Sequence, residues 1–246
     1  MPLIIPKDLP AYEELQQENV FVMHQERAMS QHIRPLRILI LNLMPTKIVT
    51  ETQLARLLAN SPLQVQVTFL QTATHSTTHT APEHMKAFYK TFDEIKNERF
   101  DGMIITARRL RTWTTRTLTT GTSSAASWTT PRRTSTPPSP VLGCAGGAVL
   151  PLRHSQGASG QEDVGVFELS CDTAFQPLVR GFDEVFYAPH SRWAGLDRAA
   201  IDTCGDLRIL AESDIAGPML LSTESGRQIF VIGHPRVRQI YTGQGV

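Results

Sequence analysis

Long apolar runs are missing from this chain: no stretch approaches the roughly 18–20 residues a membrane-spanning helix requires. Cysteine is scarce. Cys144, Cys171 and Cys204 form an odd, widely spaced set with no Cys-x-x-Cys pair. That pattern argues against a disulfide framework or a zinc site and fits reduced thiols in a cytoplasm. An excess of charge of one sign is also lacking. The 24 basic and 23 acidic residues leave a formal charge of +1, too little to build a strong field toward nucleic acid or a membrane surface. Acids and prolines interrupt the first residues, MPLIIPKDLPAYEE, so a basic–apolar–small leader pattern is absent. These features predict a cytoplasmic globular protein without a metal site.

One absence is local. Between Ala107 and Gln161 there is no Asp, Glu, Lys, Ile, Phe, Tyr, Met or Asn, while the same stretch holds eleven Thr and seven Arg. Few of these residues can build a core face. With Trp113 and Trp128 the Arg cluster has the ingredients of a nucleic-acid arm, but a poorly packed insert without a selected role accounts for the composition more simply.

The flanks are ordinary folded sequence. Residues 1–33 read as a polar, partly helical lead-in containing the short apolar run Asn19–Met23. Arg37–Met44 is a nearly continuous aliphatic run, the pattern of a strand buried on both faces of a parallel sheet. A helix should follow, capped by Thr46 or Thr50, with Glu51 in its first turn and Leu54, Leu57 and Leu58 on one face before Asn60-Ser61-Pro62. Val65, Val67 and Phe69 alternate as a second strand. Met85, Phe88, Phe92 and Ile95 predict a helix over 82–97, and Phe100–Thr106 a third strand. Alternation of strands and helices predicts an α/β fold with a doubly wound, mostly parallel sheet. Chemistry in such sheets sits at the carboxyl ends of the strands, so a site should begin at Met44-Pro45 and Thr106. After Val164, Glu184–Trp193, Leu207–Ser213, Pro218–Ser225 and Arg227–Gly233 read as further strands. The last two should form a hairpin through Ser225-Gly226.

The runs ENVFVM (18–23), RPLRILILNLMPTKIVTETQLARLLANSPLQVQV (34–67), FDGMIIT (100–106), GVFEL (165–169), RGFDEVFYAPHSRW (180–193) and FVIGHP (230–235) resemble, in this order, the homoserine O-acyltransferases (O-succinyl- and O-acetyltransferases). The resemblance implies a fold like that of the class I glutamine amidotransferases, flavodoxin-like, in a single acyltransferase domain over 1–246. In that reading 1–33 is an N-terminal extension, 107–164 an aberrant low-complexity segment and 236–246 an aberrant, truncated tail. It further implies the first step of methionine biosynthesis from homoserine, carried out without a prosthetic group. An acyl group passes from acetyl-CoA or succinyl-CoA to a cysteine thioester, and the L-homoserine hydroxyl then attacks that thioester. A histidine acts as general base, oriented by a glutamate. His234, in the terminal Gly-His-Pro, matches the family's base, and Ser191, in Ala-Pro-His-Ser-Arg, matches a substrate-contacting serine. A homodimer is implied by the same analogy, with no nucleic-acid or membrane partner.

The chain departs from the family at the nucleophile. The family's Cys-Trp-Gly-Ala-Gln turn is replaced by Val141–Gly147, and Cys144 there lacks both the preceding strand and the following residues of that turn. Codon degeneracy offers a cause. Val141–Gly147 can be spelled so that reading from its second base gives Cys-Trp-Gly-Ala-Gln-Ala. Ile105–Trp113, with one base restored, gives Ile-Thr-Gly-Ala-Pro-Val-Glu-Asn-Leu. Single-base deletions near codons 107, 140 and 164 would put residues 107–164 out of frame. The tail reads as shifted too, because Arg236 stands where the family's glutamate is expected. In the restored frame a Glu falls across Leu110/Arg111, which in this family favours acetyl-CoA. The alternative is a catalytically dead remnant lacking both the cysteine and the glutamate. His190 is expected to be structural, and Cys171 and Cys204 inert.

Overall fold

A computed structural model describes residues 3–72, 80–106, 141–143, 156–171, 177–196, 198–202 and 207–232; for 141–143, 156–164, 191–196, 199 and 200 it describes the backbone alone. The described elements are β1 (Leu3–Ile4), α1 (Pro10–Gln17), β2 (Val22–Met23), α2 (Gln25–Met29), β3 (Leu36–Leu41), α3 (Lys47–Ala59), β4 (Val65–Leu70), α4 (Pro82–Phe88), β5 (Tyr89–Lys90), α5 (Phe92–Ile95), β6 (Gly102–Ile105), β7 (Val141–Gly143), β8 (Gln156–Cys171), β9 (Val185–Leu196), α6 (Arg198–Asp202), β10 (Leu207–Ser213), β11 (Gly217–Thr223) and β12 (Gln228–Val231). They fall into two compact units, the first containing everything described up to Thr106, the second β8 to β12. None of the described helices is long and apolar enough to cross a membrane.

The first unit is the expected α/β layer. Its strands lie in the order β2-β1-β4-β3-β6, all parallel, with β3 between β4 (Ile38↔Val67, Ile40↔Phe69) and β6 (Ile38↔Gly102, Leu41↔Ile105). Alternation along β3 divides its side chains between two cores. Ile38 and Ile40 join Leu54, Ala55, Val67, Phe69 and Met85 on one face; Leu39 and Leu41 join Leu70, Ile95, Met103 and Ile105 on the other. Helices on both faces explain why the run is aliphatic throughout, since each fully buried Ile or Leu stabilises by about 1.5–3 kcal/mol. Arg56 on α3 makes a two-pronged pair with Glu18, just after α1, at 2.5 and 2.6 Å.

Three local expectations are corrected. The lead-in contributes β1 and β2 to the sheet, and Leu3, Ile5, Leu9 and Leu15 are fully buried, so apolar residues spaced by prolines were enough to dock it. The helix expected over 82–97 is two helices interrupted by β5, which pairs with β4 (Phe69↔Tyr89). The buried Tyr89 hydroxyl and its partners explain the break. On α3, Thr46 is the N-cap residue but makes no side-chain cap bond, and Glu51 lies beyond the first turn. Leu57 is exposed, while Lys47, Thr50, Glu51 and Thr52 are buried.

The second unit is antiparallel, in the order β12-β11-β10-β8-β9. The expected hairpin is β11–β12, with Leu221 opposite Phe230 and Gly226 at φ 68° in its turn. Phe230 and Ile232 bury against Leu221 and Ile201, whereas Ile229 and Val231 pack toward Leu210, Ala211 and Val179. The two-residue alternation of a sheet covered on both sides produces that division.

Candidate active site at the strand ends

Several buried polar groups of the first unit, Asn42, Lys47, Glu51 and Thr106 among them, collect where β3 and β6 end. After Leu41 the chain turns at Asn42, whose side chain is buried. Asn42 Oδ1 accepts the Met44 amide at 3.1 Å, and Thr106 Oγ1 accepts the Leu43 amide at 2.8 Å. The Thr106 amide donates to the Leu41 carbonyl at 3.0 Å. Two side chains from different strands thus hold one turn, directly preceding α3. Met44-Pro45 and Thr106 are where the sheet topology placed the start of a site.

Lys47 opens α3 and is 5% exposed. Its Nζ donates to the Asn42 carbonyl at 2.5 Å and lies 5.3 Å from the Tyr89 ring centroid. Burial lowers its pKa from 10.5 to about 8, with the charge of Glu51 pulling the other way. Glu51 stands one turn further along and is completely buried. Its carboxylate accepts the Tyr89 hydroxyl at 2.5 Å, and both its oxygens lie 3.1 Å from His84 Nε2. Asn42 Nδ2 donates to Tyr89 Oη at 2.9 Å. Tyr89 is pushed above the usual phenol range by burial first, then by the charge of Glu51 and the bond to it, and the Asn42 bond opposes this. A buried carboxylate left unpartnered would carry a heavy desolvation cost, so two donors on Glu51 are what permit it there.

Composition and periodicity did not single out Asn42, Lys47, Glu51, His84 or Tyr89. The available signal was on α3: Lys47 and Glu51 at four-residue spacing share the face of Leu54 and Leu58, which the apolar pattern assigns to the core.

The residues expected from sequence are placed differently. His234 lies outside the described residues, as do Cys144 and Cys204; contrary to the sequence reading, a strand does precede Cys144, since β7 (Val141–Gly143) ends immediately before it. Ser191 is in β9, its backbone opposite Val164, and its side chain lies outside the described atoms. His190 beside it is 2% exposed and stands edge-on to the Phe167 ring at 5.7 Å, a packing role. Cys171 ends β8 opposite Ala211 and packs against the Val179–Leu210 core. Among the described residues no group of three or more His, Cys, Asp or Glu side chains is arranged to hold a metal ion.

Comparison with known proteins agrees over nearly the whole chain. The family model described as homoserine O-succinyltransferase matches residues 2–240. A homoserine O-acetyltransferase of Clostridium acetobutylicum is 45% identical over 240 residues, covering 95% of this chain and 78% of that protein. One from Geobacillus kaustophilus is 46% identical over 241 residues, covering 96% and 78%. Among solved structures, a glutamine amidotransferase from Thermotoga maritima superposes with a TM-score of 0.53 at 9% identity, covering 83% of this chain and 77% of that one. The CTPS glutaminase domain of Trypanosoma brucei superposes with a TM-score of 0.51 at 11% identity, covering 82% and 83%. These two likenesses establish the fold, that of the class I glutamine amidotransferases.

Proposed function

The chain belongs to the homoserine O-succinyltransferase family of acyltransferases, and on that premise we propose that its reaction is transfer of an acetyl group from acetyl-CoA to the hydroxyl of L-homoserine through a cysteine thioester. The observation that carries this is a family match running from residue 2 to residue 240, across the strand-end cluster. The acetyl donor is supported by the relatives, which are named O-acetyltransferases at 45 and 46% identity. Acyl transfer develops negative charge on the thioester carbonyl oxygen, and preorganised donors at the reacting centre offset it. Asn42, Lys47 and Thr106 put polar groups at the carboxyl ends of β3 and β6, the side of such a sheet where ligands bind. His234 is the proposed general base and Ser191 a homoserine contact.

A second reading is favoured by the residues at Val141–Gly147, where the family's cysteine turn is missing. In it the chain is a remnant whose nucleophile codon stands one frame away. Both readings meet in one experiment. The purified chain, and a version with the frames of 107–164 and of the tail from Arg236 both restored, are each incubated with L-homoserine and either acetyl-CoA or succinyl-CoA. O-Acetylhomoserine together with an acyl adduct on a cysteine of the present chain supports the first reading. Turnover confined to the restored chain supports the second. Absence of product from both chains with both donors overturns acyl transfer to homoserine, and a preference for succinyl-CoA overturns the choice of donor.

A further inference from the structure

Lys47 occupies an unfavourable place for a cation. It is buried, and it sits at the first position of α3, where the helix amides already carry positive partial charge. Among the described residues, the groups facing it are the Asn42 carbonyl at the end of β3, the Tyr89 ring from β5 and Glu51 one turn along its own helix. Glu51 is the counter-charge, yet it is not in direct contact as an ion pair. Its oxygens are taken by Tyr89 Oη and by His84 Nε2 from α4. That arrangement fixes a negative charge at a set distance without quenching the ammonium's donors.

We propose that Glu51 is a positioning residue for Lys47: clamped by His84 and Tyr89, its carboxylate is the fixed counter-charge that keeps the buried ammonium protonated and seated on the Asn42 carbonyl. The consequence for catalysis rests on the acyl-transfer reading, since it makes Lys47 a standing cationic donor at the strand ends. Asn42 closes the network, because its amide nitrogen holds Tyr89 while its carbonyl holds Lys47. A purely structural Glu51 would serve as a satisfied core group and leave the charge state of Lys47 alone.

The test follows Lys47 itself. The full chain is labelled with ¹³C at the lysine Cε, the Lys47 signal is assigned by its loss in Lys47→Met, and the signal is titrated with pH. The wild-type midpoint should stand near 8. Glu51→Gln should lower it by roughly one pH unit, the effect of removing a nearby opposite charge. Tyr89→Phe should lower it by less, because the carboxylate is then held by His84 alone. A Glu51→Gln midpoint at or above that of the wild type overturns the proposal. Should Glu51→Gln lose its helical circular dichroism, Tyr89→Phe and His84→Gln decide, and unchanged midpoints in both overturn it. Because the readout requires no turnover, a failed acyl-transfer assay leaves this result standing, and an unmoved midpoint leaves the acyl-transfer reading standing.

Discussion

At the scale of single residues, Lys47 makes this protein's stability depend on alkaline pH in an unusual direction. Its pKa is about 8 when folded against 10.5 for an unperturbed lysine. Below pH 8 both folded and unfolded chains carry the proton. Between about 8 and 10.5 only the unfolded chain does, so the unfolded state binds more protons and stability rises with pH. Chemical denaturation of wild type and Lys47→Met across that window should show the wild type gaining stability relative to the variant. A difference that stays flat, or falls, would contradict the burial-driven shift. The same residue shows how much of the site could be read in advance. An aliphatic run followed by Pro-Thr-Lys located the turn at the strand end, but hydropathy cannot distinguish a lysine that opens a helix in solvent from one that opens it beneath a tyrosine ring. Glu51 illustrates the same limit: taken for a first-turn acid from its position, it is a buried acceptor because Tyr89 and His84 reach it from 33 or more residues away.

Among elements, those read best were the ones whose own pattern decides them. β3, β4, β6, β10 and the β11–β12 hairpin all lie where aliphatic runs or alternation placed them, since strands buried on one or both faces advertise that burial locally. Elements depending on a distant partner were missed. Residues 82–97 carry helical spacing, but Tyr89 buries its ring 5.5 Å from that of Phe69 and the backbone extends there to pair with β4; a tertiary contact overrides the local period. The hairpin turn offers a test at this scale. Gly226 has φ 68°, and a Cβ there would meet nothing within 4 Å. Gly226→Ala should therefore cost only the backbone strain of a left-handed non-glycine residue, about 1–2 kcal/mol, seen as a lowered urea midpoint with unchanged slope. A loss well beyond that would mean the turn is constrained by more than its backbone angle.

For the molecule as a whole, the family was legible because short motifs in a fixed order survive on both sides of the anomalous stretch. Residues 107–161 hold no Ile, Phe, Tyr or Met, and a composition rich in Thr, Arg and Pro offers less apolar area for burial than that of an ordinary strand and helix. We expect low soluble yield from this chain and higher yield once the frame of 107–164 is restored. A cooperative thermal melt of the present chain, as high as that of the restored one, would count against that expectation.

Chain patterning alone settled the α/β class, the order of the principal strands and the acyltransferase kinship, because hydrophobic period and short motifs are local properties that need no knowledge of what lies across the sheet. Only the folded arrangement brought Asn42, Lys47, Glu51, His84, Tyr89 and Thr106 together. These come from five separate elements and turns, joined by hydrogen bonds between residues up to 64 apart, and burial shifts the pKa of Lys47 and Tyr89. Desolvation acts through space, and the linear chain does not contain that distance until it folds.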